Sequence, residues 1–232
     1  MPSDDSQRAE RARRVTGEEL LVLVHDAAED VLAALLENPA LNESHVVLLL
    51  ERKNLPAPVL EQIAQRGEWM RDYPVKLRVA LHPRTPRLVA LPLVRQLYLF
   101  DLASACLQPS APNEVKRLAE EQILAKLEQL ALGQKLTLAR RGPARVAGAL
   151  LAEGHEQVAS LALDNPYLTE AQLLRVLARN ELPANVAAAV AQHRKWSLLH
   201  NVRIALVRHP GTPLARVLSF LPDLTMRDLS DL

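Results

Sequence analysis

A chain of 232 residues with a formal charge of only +1 lacks the excess positive charge of a strongly basic nucleic-acid binder. Its single cysteine, Cys106, excludes a disulfide framework or a thiolate metal cluster within one chain, and no run approaches the ~20 apolar residues of a membrane span. Apolar residues make up 49% of the chain but aromatics only 3%, so Leu, Ala and Val must build the core. Leu and Ala favour helix, and Val is tolerated there where packing overrides its weaker propensity.

Residues 1–15 are polar and of mixed charge. Arg8, Arg11, Arg13 and Arg14 stand against Asp4, Asp5 and Glu10, and no apolar stretch suggests a signal peptide. This segment is predicted to be a disordered, solvated tail. Residues 16–110 form a first helical-repeat half. It alternates apolar-periodic stretches with the turns Asn38-Pro39, Leu55-Pro56-Ala57 and His82-Pro83-Arg84-Thr85-Pro86, whose prolines stop and start helices. Residues 98–107 read as an apolar helix, with Cys106 as a small buried hydrophobe. Residues 111–135 contain a connecting helix, with Val115, Ala119, Ile123, Leu127 and Leu130 on one face and Gly133 at its C-terminal cap.

The second half, residues 136–232, continues the helical pattern through Leu136, Leu138, Val146, Leu150 and Leu151, with a break at Gly142-Pro143. Thr169 and Gln172 are spaced as a capping box. Leu182-Pro183 and His209-Pro210-Gly211-Thr212-Pro213 break the chain again, with Thr212 expected as a helix N-cap and Pro213 at the first helical position. Alternating Val/Ile/Thr/aromatic runs are absent, so no strand is predicted.

The chain contains itself twice. Residues 31–105 shifted by 127 positions lie on residues 158–232 without a gap, and about 23 of the 75 pairs are identical. Within each copy the Asn-Pro and His-Pro turns lie 44 residues apart, which suggests sub-units of about that size.

Helices separated by such turns resemble the HEAT-like α-solenoids, most nearly the leucine-rich-repeat-variant type. The run Val202-Arg203-Ile204-Ala205-Leu206-Val207-Arg208-His209-Pro210-Gly211-Thr212-Pro213 looks like one unit of that kind. The resemblance covers residues 31–105 and 146–232. It implies an all-α, right-handed solenoid of short stacked helix pairs, built from two tandem homologous halves and continuous from end to end. It also implies a concave face that binds peptides or proteins. The iron–sulfur cluster of some such proteins needs N-terminal cysteines that this sequence lacks.

Trp69 and Trp196 occupy matching positions and are the only tryptophans. They read either as packing residues between neighbouring pairs or as partner anchors. Arg52 and Arg179 match across copies, and Lys76 and Arg203 keep a positive charge. These cations read either as solvated helix-end charges or as a repeated groove lining for an acidic partner. Asp101 and Asp228 also match and are expected as caps or first-turn acids. The seven histidines fall at no metal-ligand spacing, and no phosphate loop or nucleophile motif is present, so neither metal nor cofactor is expected.

The reading that follows is a non-catalytic, cytoplasmic, bacterial-type scaffold that binds another protein or peptide. Arg52, Trp69, Lys76, Arg179, Trp196 and Arg203 are its candidate contacts. The C-terminal edge is a candidate homodimer surface. The alternatives are a nucleic-acid-binding or DNA-glycosylase-like HEAT-repeat protein and a small-molecule enzyme on a solenoid.

Overall fold

The computed structural model describes residues 4–179 and 181–230. They form 18 α-helices and three short 3-10 turns, packed as neighbouring pairs, and no strand occurs among the described residues. The chain divides into two compact units, residues 1–119 and 120–232. No helix among the described residues is long and apolar enough to cross a membrane.

The first unit begins with α1 (Asp4–Ala12), α2 (Glu18–Leu23), α3 (Glu29–Leu36), α4 (Glu43–Leu49) and α5 (Ala57–Gln65). It continues with α6 (Gly67–Arg71), α7 (Tyr73–Leu81), α8 (Arg87–Val94), α9 (Leu99–Leu107) and the first turns of α10 (Asn113–Lys126). α1 packs on α3 and α3 on α5, while α4 packs on α7. With the five-residue α6 set aside, each of these stackings skips one helix, and the stacked helices start about 25–30 residues apart. This replaces the expected 44-residue sub-unit. The Asn38-Pro39 turn joins α3 to α4, and the His82-Pro83 turn joins α7 to α8, which pack closely on one another. Their separation is not a repeat length.

Residues 4–12 are helical, which corrects the expectation of a disordered tail. Ala9, Ala12 and Val15 are buried against the core that contains Val31, Leu35 and Leu36 of α3. Arg8 pairs with Asp26 at 2.6 Å and Arg13 with Glu37 at 2.8 Å. Arg8 and Arg13, read as part of a solvated tail, thus pair with acids outside the segment, and three small apolar residues suffice to seat a short helix. Fully burying a side chain such as Leu35 or Leu36 stabilises by ~1.5–3 kcal/mol each, so packing rather than propensity holds these short helices.

The second unit contains the rest of α10 and a 3-10 turn, Leu127–Gln129. Then come α11 (Leu132–Arg141), α12 (Ala144–Ala152), α13 (Glu156–Leu163), α14 (Glu170–Leu177) and α15 (Ala184–Gln192). A 3-10 turn, Trp196–Leu198, precedes α16 (His200–Arg208) and α17 (Leu214–Phe220). A last 3-10 turn, Leu221–Asp223, leads to α18 (Met226–Ser230). α11 stacks on α13 and α13 on α15, while α12 stacks on α14 and α14 on α16.

Three local expectations are corrected. Gly133 does not cap the connecting helix but lies in the first turn of α11, because α10 ends earlier and a 3-10 turn intervenes. At Thr169 half of the expected box forms, the hydroxyl accepting from the Gln172 N–H at 3.2 Å. Pro213, not Thr212, is the N-cap residue of α17; Thr212 is buried in the preceding turn, and its hydroxyl has no partner among the described residues. Leu214, Leu218 and Met226 of α17 and α18 are exposed.

Candidate functional site

The internal repeat supplies the frame for the site. α5 and α15 have bounds 127 positions apart, as do α7 and α16. Asn38 and Asn165 each close the turn after a helix in the same way. Asn38 Nδ2 donates to the Ala12 and Val15 carbonyls at 2.7 and 2.8 Å, and its Oδ1 accepts from the Ala40 N–H at 2.8 Å. Asn165 Nδ2 donates to the Ala139 and Gly142 carbonyls at 2.7 and 3.1 Å, and its Oδ1 accepts from the Tyr167 N–H at 2.7 Å. Both side chains are buried, so their amides satisfy carbonyls that helix ends would otherwise leave orphaned.

The histidine turns do similar work. His82 Nδ1 accepts from the Arg84 N–H at 3.1 Å while Nε2 faces the Arg52 carbonyl at 2.7 Å. A carbonyl can only accept, so Nε2 carries the proton and the ring is neutral. Burial accordingly pushes the His82 pKa below its ordinary value. His209 repeats the local half, its Nδ1 accepting from the Gly211 N–H at 3.0 Å.

Beside each histidine turn lies a groove of about 390 Å³. In the first unit the ends of α4 and α7 line it with Leu50, Glu51, Lys53, Leu77, Arg78 and Leu81. In the second, α14 and α16 line it with Leu174, Leu177, Ala178, Arg179, Ala205 and Arg208. Leu50 matches Leu177, and His82-Pro83 matches His209-Pro210, so the two hollows occupy one register. Among the differences between their linings is one coupled pair. Glu51 and Arg78 form an ion pair at 3.7 Å, whereas the matching positions are Ala178 and Ala205. The exposed pair itself contributes under ~1 kcal/mol. Its replacement turns a zwitterionic wall into an apolar one.

The six candidate contacts do not gather at one place. Arg179 alone lines one of the two matching grooves, is exposed, and also lines an adjoining hollow with Ala152, Glu181 and Leu182, while the edge of Trp69 lines a separate hollow beside the Asn38 turn. Its counterpart Arg52 donates instead to the Val24 carbonyl at the end of α2. Arg203 donates to the Ser197 carbonyl at 2.7 Å and to Asp223 at 2.8 Å, and its guanidinium lies 5.8 Å from the Phe220 ring centre. Lys76 is half-buried in α7. Trp69 and Trp196 are buried, at 3% and 1% exposure, so they present almost no surface to a partner. Trp196 Nε1 donates to the Leu163 carbonyl at 2.8 Å, and Arg66 and Lys195 lie over the two indoles.

Sequence reasoning did not single out the alanines of the second groove. The usable signal was the joint loss of opposite charges at positions 51/178 and 78/205 of the self-alignment. No group of three or more His, Cys, Asp or Glu side chains suited to a metal occurs among the described residues.

The fold defines an all-helical protein of stacked helix pairs. The chain matches no family model, no curated protein and no solved structure.

Proposed function

We propose that the chain is a helical-repeat scaffold, a HEAT-like solenoid doubled in tandem, whose task is to bind another protein. The observation that supports this is the recurrence of one groove, of one volume and register, beside the histidine turn of both units. A hollow of this size with an apolar floor and charged rim suits side chains of a partner segment. Helical-repeat scaffolds use such repeated grooves because each unit contributes the same surface again.

The test places a photo-crosslinking residue at Ala178, and separately at Leu77, in the full chain in its native cells. A dominant protein adduct that re-forms with the purified partner is expected from at least one site. Adducts mainly with nucleic acid, or none at either site, would overturn the scaffold reading. In the nucleic-acid case a gel shift would weaken steeply with salt.

A further inference from the structure

We infer that the groove of the second unit takes an acidic peptide segment, one that presents an apolar side chain next to a carboxylate. This rests on the scaffold reading and names the partner's chemistry. Three observations carry it. Leu174, Leu177, Ala178 and Ala205 give the hollow an apolar floor and wall. Arg179 and Arg208 stand at that same hollow, and none of the described residues lining it is acidic. The matching hollow of the first unit carries Glu51, already paired with Arg78. The same backbone therefore offers an anion an attractive rim in one unit and a competing carboxylate in the other.

The chemistry follows from the guanidinium. Its planar fork binds a carboxylate through two parallel N–H···O bonds, and Arg179 is exposed and positioned to do so. Glu181 lines the adjoining hollow with Arg179 and is not among the residues that line the groove. An apolar side chain entering beside the carboxylate meets the methyl groups of Ala178 and Ala205, where the first unit places the charges of Glu51 and Arg78. Among the described lining residues no Trp, Tyr or Phe occurs and His209 is the one aromatic ring, so the hollow lacks the run of aromatic side chains on which single-stranded nucleic acid stacks successive bases. Selectivity between the two units then comes from a repulsive element as much as an attractive one.

The test uses the purified full chain and a short fluorescein-labelled peptide alternating Glu with Leu, read by anisotropy. Controls replace Glu by Lys, or Leu by Ser. Saturable binding that drops about tenfold in each control is expected, the loss of one charge-assisted or one apolar contact. Arg179→Glu should weaken the acidic peptide by at least about tenfold. The double variant A178E/A205R, which copies the first unit's ion pair into the second, should do the same. The matching variant E51A/R78A, which removes the competing carboxylate from the first unit, should not weaken the peptide. Unaltered Trp196 fluorescence checks that each variant is folded.

Equal binding of the Glu and Lys peptides, or indifference to both second-unit variants, would overturn the inference. So would an absence of saturable binding, or tighter binding of an oligonucleotide than of the peptide. A protein adduct at Leu77 with a failed peptide test would remove this inference and leave the scaffold reading standing.

Discussion

The two units are most instructive where the same backbone position carries different chemistry. Buried closing contacts are kept. Asn38 and Asn165 make matching sets of three hydrogen bonds. Half-buried contacts keep their place and change their partners. Tyr73 donates its hydroxyl to Asp101 at 2.6 Å, and at the matching positions His200 meets Asp228 at 3.2 Å. Rim positions change charge outright, from Glu51 and Arg78 to Ala178 and Ala205. Divergence grows with exposure because an unpaired buried polar group costs several times what a surface ion pair returns.

The sharpest way to break this comparison is to remove the shared contact. Asn38→Ala and Asn165→Ala each leave two carbonyls and an N–H without a partner. Each should destabilise its own unit by about 2–3 kcal/mol. Single-tryptophan backgrounds make the units separately readable in urea, with Trp69 reporting the first and Trp196 the second. A loss below ~0.5 kcal/mol at either position would show that the amide is not the lock it looks to be.

A smaller effect separates the threonines of the two histidine turns. Thr85 Oγ1 donates to the Val79 carbonyl at 2.7 Å, whereas Thr212 Oγ1 is buried with no partner among the described residues. Thr85→Val should cost about 1 kcal/mol, while Thr212→Val should be neutral or slightly stabilising. Equal costs in the same urea assay would contradict the difference.

The finest distinction is in pH. Burial, then the hydrogen bond to Asp101, pushes the Tyr73 pKa up to about 12. A folded value above the unfolded one, near 10, means that the contribution is complete below pH 10 and is lost as pH rises towards 12. In the second unit the hydrogen bonds from Thr225 hold Asp228 below its ordinary value of 3.8. That contribution is present above the unfolded value and fades as pH falls through the lowered one. The Tyr73–Asp101 contact should therefore weaken at alkaline pH in the first unit, and the Thr225–Asp228 bonds at acid pH in the second. Tyr73→Phe should flatten the alkaline limb of the Trp69 signal, and Asp228→Asn the acid limb of the Trp196 signal.

Much of the architecture was legible in the residues. The prolines after Asn38, Leu55 and His82 mark real helix boundaries, since Pro limits its predecessor and starts helices well. The helix over 99–107 follows from its apolar run. What was misread is what periodicity cannot weigh. Residues 4–12 look solvated until α3 supplies a surface for Ala9 and Ala12. Gly133 looks like a cap until an intervening 3-10 turn ends α10 first. Of the four candidate cations, only Arg179 lines one of the two matching grooves, because matching sequence positions cannot tell a charge held by a carbonyl, as at Arg52, from one left at a rim.

By itself the sequence determined that the chain is helical, where most helices start and stop, and that one pattern occurs twice. Local propensity, proline and self-similarity act within a few residues or by direct comparison. Only the tertiary structure decided which cation serves the fold and which faces a groove, and that stacked helices start about 25–30 residues apart rather than 44. Those outcomes depend on carbonyls and carboxylates brought together from distant parts of the chain, as when Arg203 meets Asp223 and Trp196 meets Leu163.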